Sequence, residues 1–185
     1  MESSNEQALR LLQRIASGNE DALKDLHRQF NRRIYAFALN RLHDHQEAES
    51  IVVETLYDVW KNASKFRGES LVSTWILGIA RYKILNVLRS RGPEHEEVDE
   101  AMPAGDLGVF DLVAQQQRRE WVQHCMERLS DNHRECLFLV FYEGWSLAEI
   151  AKFQECSENT VKTRLFHARR NIKTCLERML RSEGG

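Results

Sequence analysis

The sequence predicts an all-α protein in which two helical domains are joined by a flexible acidic linker. Apolar residues recur at three- and four-residue intervals along most of the 185 residues, and the only two prolines lie in a single segment. Proline interrupts helices, and no strand-type alternation recurs between turn residues, so long helices are expected on both sides of that segment. The segment, residues 92–117, holds seven acidic residues and neither Lys nor Arg. It marks a linker between a domain at 1–91 and a domain at 118–185.

The first domain is predicted to contain three helices, each with a polar residue at its start. Asn19 begins a helix that continues to about residue 42. Asp44, with Glu47 three residues later, has the form of a capping box for a second helix that reaches about residue 63. Ser70 is the predicted N-cap of a third helix, which ends near residue 91. The second helix is acidic, since residues 44–58 hold five acidic residues and no Lys or Arg.

The third helix carries apolar residues on two faces, and the face with Trp75, Ile79 and Tyr82 could pack in the core or contact a ligand. Cations surround its aromatic rings. Single-stranded DNA binds such surfaces because its bases stack on the rings while the cations contact its backbone. For Trp75 taken alone, a buried structural role is the simpler interpretation. The candidate DNA-contacting residues are Lys65, Phe66, Arg67, Trp75, Arg81, Tyr82, Lys83, Arg89 and Arg91.

The second domain is predicted to end in a helix-turn-helix. Ser130 caps an apolar helix that ends before Gly144. Ser146 and Glu149 form a capping box for the next helix, and Ser157 caps the long basic helix that follows. One face of the long helix is apolar, and its basic residues are available to solvent or to DNA phosphates. Because a helix and a turn precede it, DNA contact is preferred over a merely solvated basic helix.

Composition and motifs narrow the remaining function classes. The chain has no Gly-rich phosphate loop, GxSxG or HExxH motif, so neither an enzyme nor a cofactor is expected. It has no signal-like start and no long apolar run, so a cytoplasmic protein without membrane insertion is expected. His133 and Cys136 could ligate a metal, but zinc needs four ligands, so a helix cap and a core thiol are preferred and no metal is expected. The four cysteines, which also include Cys125, Cys156 and Cys175, contain no CxxC pair and are expected to be reduced thiols.

Two stretches of the chain, one in each predicted domain, carry recognisable motifs. The stretch from Phe66 to Arg89, FRGESLVSTWILGIARYKILNVLR, resembles the signature F-x-G…W-L-x-x-I-A-x-N…D-x-x-R. The segments LS at 129–130, EIA at 149–151, TVKTRL at 160–165 and AR at 168–169 resemble L-P…E-I-A…T-V-K-S-R-L…A-R. In this order, both signatures resemble those of the sigma-70 family of RNA polymerase specificity subunits, in its compact extracytoplasmic-function form. The chain departs from the pattern at Ser50 and Val53, in what is the A-E-D…Q core of the family's polymerase-binding helix. It also departs at Tyr82 and Asn86, where the family has an N…D pair, and at Glu155, where a glycine is usual in the turn.

The resemblance implies a sigma factor, which binds core RNA polymerase and directs it to promoter DNA. The acidic second helix would dock on core polymerase. The third helix would hold an unpaired non-template base of the −10 element as the duplex melts, and the last helix would read the −35 duplex. The acidic linker would cross the nucleic-acid channel of the polymerase. An anti-sigma factor that covers both domains is a further implied partner.

The resemblance also assigns residues to these roles. The implied polymerase-binding residues are Glu47, Glu49, Ile51 and Glu54. The implied −10 residues are Lys65, Phe66, Arg67, Trp75, Arg81, Tyr82, Lys83, Asn86 and Arg89. The implied −35 residues are Ser157, Asn159, Thr160, Lys162, Thr163, Arg164, His167 and Arg170.

A helix-turn-helix regulator that binds duplex DNA without polymerase is the alternative. It explains residues 118–185 equally well but leaves residues 1–91 without a role. Such a regulator should bind its DNA site tightly by itself, whereas a sigma-like subunit should bind promoters tightly only with core polymerase.

Overall fold

The computed structural model describes residues 4–92 and 116–183, and the regular structure in these two ranges is entirely helical. The predicted all-α class is therefore confirmed. The chain divides into two compact units with the boundary between residues 93 and 94, and each unit is described by itself. Most of the predicted linker, residues 93–115, lies outside the described residues.

The described residues form eight α-helices and one short 3-10 turn. The helices are α1 Ser4–Ala16, α2 Glu20–Leu42, α3 His45–Asn62, α4 Val72–Ser90, α5 Gln116–Glu127, α6 Asp131–Phe141, α7 Leu147–Phe153 and α8 Glu158–Glu183. The 3-10 turn, Ala63–Lys65, directly follows α3.

The first unit is a bundle in which α2 packs against α1, α3 and α4. Its core side chains include Leu26, Ile34 and Phe37 of α2, Ile51 of α3 and Ile76 of α4, each no more than 2% exposed. All five lie on apolar stripes of helical spacing. Burial of these stripes holds the acidic helix α3 and the aromatic helix α4 in fixed positions against α2.

Helix α1 was not predicted. It buries Ala8, Leu11, Leu12 and Ile15, which have the three- and four-residue spacing of an amphipathic helix. The spacing is present in the sequence, so this helix could have been recognised from the same kind of pattern that predicts α2 and α3.

The first two predicted N-caps are confirmed. The side chain of Asn19 accepts a hydrogen bond from the backbone N–H of Ala22 at 2.8 Å, at the start of α2. The side chain of Asp44 accepts one from the backbone N–H of Glu47 at 2.9 Å, at the start of α3. Both bonds satisfy donors that the first turn of a helix leaves without a partner in the helix.

Ser70 does not cap α4, so this prediction is wrong. The N-cap is Leu71, whose side chain makes no capping bond. The backbone N–H of Val72 instead donates to the side-chain oxygen of Asn5 in α1, at 2.9 Å. The start of α4 is thus capped by a residue far away in the sequence, which local patterns cannot reveal.

The second unit is built around α8, which packs against α5, α6 and α7. The core face of α8 consists of Val161, Leu165, Ala168 and Ile172. At the junction of α5 and α6, the buried side chain of Arg134 donates hydrogen bonds to the backbone oxygens of Leu129 at 2.6 Å and Met126 at 3.1 Å. Met126 lies in the last turn of α5 and Leu129 in the turn that follows, where backbone oxygens lack N–H partners within the helix.

Cys125 of α5 and Cys175 of α8 form a disulfide, and their Cα atoms are 5.8 Å apart. The prediction that all four cysteines are reduced thiols is therefore wrong for this pair. The two residues are 50 positions apart in sequence, and spacing in sequence does not show which faces of two helices meet. Cys136 and Cys156 are free thiols, of which Cys136 is buried.

Candidate DNA and polymerase interfaces

An aromatic pair lies at the start of α4. The ring centroids of Phe66 and Trp75 are 5.1 Å apart, and both side chains are half-buried. Lys65 and Arg67, on either side of Phe66 in sequence, are exposed. The arrangement offers ring surface next to two cations, which suits a base that stacks on the ring while its phosphates contact the cations.

The exposed face of α4 continues from this pair towards the end of the helix. Tyr82, two turns from Trp75, is 66% exposed, and Asn86 and Arg89 are also exposed. Arg81 is half-buried. Since Trp75, Tyr82 and Asn86 share one side of the helix, they form a surface along which a single strand of DNA could run.

Lys83 faces α3 instead of this surface. Its ammonium nitrogen is 2.7 Å from Oδ2 of Asp58 and 3.4 Å from Oε2 of Glu54, and its side chain is 16% exposed. Burial alone lowers the pKa of Lys83, but the hydrogen bond and charge of Asp58, helped by Glu54, outweigh burial, so the pKa is raised. Lys83 thus stays protonated and connects α3 to α4.

The acidic helix α3 uses two of its predicted polymerase-binding residues inside the unit. The guanidinium of Arg91 pairs with the carboxylate of Glu47, and Glu54 contacts Lys83. Ile51 is only 2% exposed. Its side chain packs in the core and has no surface for a partner, so its assignment to polymerase binding is corrected.

The outer face of α3 carries exposed apolar residues beside its acidic ones. Glu49 is exposed, and Val53 and Tyr57, one and two turns further on, are 69% and 56% exposed. The ammonium of Lys61 lies 4.3 Å from the ring centroid of Tyr57. The signal for these exposed apolar residues is present in the sequence, because both fall off the buried stripe of α3.

Helices α7 and α8 have the predicted helix-turn-helix caps. The carboxylate of Glu149 accepts a hydrogen bond from the backbone N–H of Ser146 at 2.8 Å, and the Ser146 hydroxyl accepts one from the N–H of Glu149 at 3.3 Å, so the capping box is confirmed. The hydrogen bonds from the backbone and side chain of Ser146 lower the pKa of Glu149. The Ser157 hydroxyl accepts a hydrogen bond from the N–H of Thr160 at 3.0 Å, which confirms Ser157 as the cap of α8.

The turn between the two helices explains Glu155. The backbone N–H of Cys156 donates to the carbonyl of Ala151 at 3.0 Å, and that of Glu155 donates to the carbonyl of Lys152 at 3.4 Å. These two bonds define a Schellman motif, whose penultimate residue takes left-handed φ and is usually glycine. Glu155 has φ of 54°. It therefore preserves the turn geometry, at the steric cost of a side chain in a left-handed conformation.

The exposed face of α8 carries part of the predicted −35 set. Asn159, Lys162 and Arg170 are exposed. The hydroxyl of Thr163 donates to the backbone oxygen of Asn159 at 3.0 Å, and a guanidinium nitrogen of Arg170 lies 3.1 Å from Nδ1 of His167. Asn159 and Lys162 near the start of the helix are thus placed to approach base edges and phosphates in a major groove.

Arg164 differs from these residues because it bonds to the end of α7, whereas Thr163 and Arg170 contact neighbours within α8. Its guanidinium donates a hydrogen bond to Oε1 of Gln154 at 2.9 Å. Gln154 is buried and donates in turn to Oε2 of Glu135 at 2.6 Å. The predicted base reader therefore belongs to a polar network beneath the turn.

No metal site is formed by the residues that the structure describes, where no three or more His, Cys, Asp and Glu side chains converge. The ring of His133 stacks on that of His167, with centroids 6.1 Å apart. The Cys136 thiol donates to Oε1 of Gln154 at 3.1 Å, and burial raises its pKa to about 12. Within the same described ranges, no helix is long and apolar enough to cross a membrane.

A helical bundle with an aromatic and basic surface, followed by a helix-turn-helix unit, defines a DNA-binding protein of transcription. The family described as sigma-70 region 2 matches residues 26–94, and that described as sigma-70, region 4 matches residues 119–172. The chain belongs to the sigma-70 family, in its extracytoplasmic-function (ECF) form.

Relatives of similar length support this membership. The ECF RNA polymerase sigma factor SigK of Mycobacterium tuberculosis is 29% identical over 178 residues, which cover 90% of this chain and 92% of that protein. The RNA polymerase sigma-H factor of Pseudomonas aeruginosa is 28% identical over 189 residues, covering 96% of this chain and 98% of that protein.

Two solved structures show the same kind of fold. The sigma factor RpoE from Bartonella quintana, in complex with the anti-sigma factor NepR, matches with a TM-score of 0.61 and 25% identity, covering 83% of this chain and 96% of that one. CnrH, in complex with the cytosolic domain of CnrY, matches with a TM-score of 0.67 and 18% identity, covering 92% of this chain and 97% of that one.

Proposed function

We propose that this sigma factor directs core RNA polymerase to promoters by opening the −10 element with residues 1–91 and reading the −35 element with residues 118–185. The observation that carries the proposal is the presence in one chain of two different surfaces that suit DNA. The half-buried rings of Phe66 and Trp75 lie together beside cations, whereas Asn159 and Lys162 are exposed near the start of the second helix of a helix-turn-helix. The acidic segment 92–117 connects these two functions.

The first unit acts on single-stranded DNA in this proposal. A base must leave the duplex before its edge can be read, and unstacking costs about 1–2 kcal/mol per base step. Stacking on aromatic side chains returns a similar amount, about 1–3 kcal/mol per base. Phe66 and Trp75 therefore offset the cost of opening, and Lys65 and Arg67 hold the strand. The reaction requires neither a cofactor nor a catalytic group.

The outer face of α3 is the proposed contact with core polymerase. Glu49 supplies negative charge there, and Val53 and Tyr57 supply apolar surface. Exposed apolar residues next to charges are typical of protein interfaces. Because Glu47 already pairs with Arg91 and Glu54 already contacts Lys83, they contribute more to the position of α3 than to a partner.

Control by an anti-sigma factor is part of the proposal. The Bartonella quintana sigma factor was solved with such an inhibitor, and the apolar surface of α3 would suit one. The inhibitor would compete with core polymerase for this surface. The proposed function also places the protein in the cytoplasm, where core polymerase and the chromosome meet.

Transcription with purified core polymerase on a promoter library tests the function. The wild-type holoenzyme should select promoters with two conserved elements, while the protein alone should bind the same DNA weakly. Trp75→Ala should reduce permanganate reactivity of the −10 region but keep −35 binding, and Lys162→Ala should weaken binding while leaving opening of bound DNA intact. Failure to join core polymerase, or tight promoter binding by the protein alone, would favour the one-component regulator.

A further inference from the structure

A buried chain of hydrogen bonds joins three helices of the second unit beneath the turn of the helix-turn-helix. Glu135 of α6 is 0% exposed, and Gln154, at the end of α7, is 7% exposed. The side-chain amide of Gln154 donates to Glu135 at 2.6 Å and accepts from Arg164 of α8 at 2.9 Å. The thiol of Cys136 donates to the same amide oxygen at 3.1 Å.

The chemistry of these groups fixes the direction of the amide. An ionised carboxylate can only accept hydrogen bonds, and a guanidinium can only donate them. Gln154 has one donor end and one acceptor end, so it fits between Glu135 and Arg164 in one orientation only. A carboxylate that is buried to this extent is costly unless hydrogen bonds and positive charge compensate it. Arg164 brings that positive charge towards Glu135 through the amide.

Gln154 places the network directly beside the turn between α7 and α8. Gln154 directly precedes Glu155, whose left-handed backbone turns the chain from α7 into α8. The network therefore holds both sides of this turn, because it includes Gln154, the C-cap residue of α7, and Arg164 in the second turn of α8. Side chains that read a ligand need supporting contacts that fix them to within a fraction of an ångström.

We propose that Glu135 and Gln154 are positioning residues for −35 recognition and that Arg164 connects α8 to them instead of contacting DNA. The network sets the angle at which α8 enters the major groove, and so places Asn159 and Lys162 against the base edges and phosphates. This inference rests on the proposed function.

An exchange of the acid and the amide tests the network in the full-length protein bound to core polymerase. Gln154→Glu alone places two carboxylates against each other and should weaken binding to a promoter selected by the wild-type holoenzyme by roughly tenfold. Adding Glu135→Gln leaves a single carboxylate again, now at position 154, where it can accept hydrogen bonds from the new amide at position 135 and from Arg164. The double variant should therefore return to within about threefold of wild type, a rescue expected only if the two side chains act as a pair.

The salt dependence of binding separates positioning from phosphate contact. Lys162→Ala should lower the slope of log affinity against log salt by about one, because one phosphate contact is lost. The exchange variants and Arg164→Ala should leave this slope unchanged. Gln123→Glu adds the same charge on the exposed face of α5 and serves as the matched control, with wild-type affinity and slope expected.

The outcomes distinguish this inference from the proposed function. A lower salt slope for Arg164→Ala, or no rescue by the double variant when its circular dichroism matches wild type, would overturn the positioning role. The positioning role would also be overturned if a variant lost as much affinity for a promoter with a scrambled −35 element as for the intact promoter. The defect would then not concern −35 recognition. If the wild-type holoenzyme selects no promoter at all, the proposed function fails, and this inference fails with it.

Discussion

The side-chain oxygen of Asn5 accepts a hydrogen bond from the backbone N–H of Val72, 67 residues further along the chain, at 2.9 Å. Helix α4 has no capping side chain of its own at Leu71. The first turn of a helix leaves four N–H groups without helical partners, and Asn5 satisfies one of them. Helix α1 therefore supports the helix that carries Trp75, although α1 lies outside the matched sigma-70 region 2.

The first prediction concerns the contribution of the Asn5 cap to stability. Asn5→Ala should lower the free energy of unfolding by about 1 kcal/mol, since loss of an N-cap acceptor costs about this much. Asn5→Asp keeps the acceptor and should stay close to wild type. Urea unfolding of the three proteins followed by circular dichroism measures the difference, and equal midpoints for Asn5→Ala and wild type would contradict the role of the cap.

The second prediction concerns the energy of the ion pair between Lys83 and Asp58. Lys83 and Asp58 should show a coupling energy of roughly 1 kcal/mol in a double-mutant cycle with Lys83→Met and Asp58→Asn, because one partner is largely shielded from water. Lys83→Met should also keep the salt slope of promoter binding, whereas Lys65→Ala should reduce it. A reduced slope for Lys83→Met would show that this lysine leaves Asp58 and contacts DNA.

Patterns of local spacing predicted most helices and several caps, but long-range pairs were beyond them. Asn19, Asp44 and Ser146 each bond to a residue three positions away, and such contacts are written in the local sequence. The contacts of Asn5 and Lys83 join helices that are distant in sequence. Periodicity shows that a face is polar or apolar, but not which helix it meets.

Local spacing also predicts which candidate site residues are exposed, but not which of them bond to a neighbouring helix. Exposure of Asn159 and Lys162 follows from the periodicity of α8, because both lie off its buried stripe. Arg164 also appears available from its spacing, yet it bonds to Gln154. The family resemblance implies a polymerase contact for Ile51, whereas the apolar stripe on which it lies buries it. Residue type and position in the sequence suggest DNA or polymerase contact for these residues. Which of them can make such a contact depends on the side chains packed around them.

The disulfide makes the third prediction. Cys125 and Cys175 close a loop with a sequence separation of 50, for which the chain-entropy estimate is about 4 kcal/mol of stabilisation. A reductant should therefore lower the unfolding temperature of the second unit. Cys125→Ser should unfold at this lower temperature both with and without reductant. Alkylation of the denatured, unreduced protein should modify only Cys136 and Cys156, and modification of all four cysteines would contradict the disulfide.

The capping box makes the fourth prediction, which concerns pH. The pKa of Glu149 lies below its ordinary value of 4.5 because Ser146 donates hydrogen bonds to its carboxylate. A lowered pKa in the folded state contributes stability that is present above 4.5 and is lost as the pH falls through the folded value. Glu149→Gln keeps a box but loses the charge, so it should cost about 0.3–1 kcal/mol at pH 7. At pH 3 the difference from wild type should be smaller, and a constant difference at both pH values would contradict the assignment.

Glu155 makes the last prediction, which concerns the turn that the family usually builds with glycine. Its φ of 54° brings the side chain close to its own backbone, a conformation that costs a residue with Cβ about 1–2 kcal/mol and costs glycine little. Part of the gain from Glu155→Gly is lost to the greater freedom of glycine in the unfolded chain. We therefore expect Glu155→Gly to raise the free energy of unfolding by about 0.5–1 kcal/mol. Lys173→Gly, at an exposed position inside α8 and away from the turn, should lower it by about 1 kcal/mol, since glycine weakens a helix interior. Opposite signs for the two variants in urea unfolding would establish that the turn tolerates Glu155 under strain, and a destabilised Glu155→Gly would show that its side chain stabilises the turn.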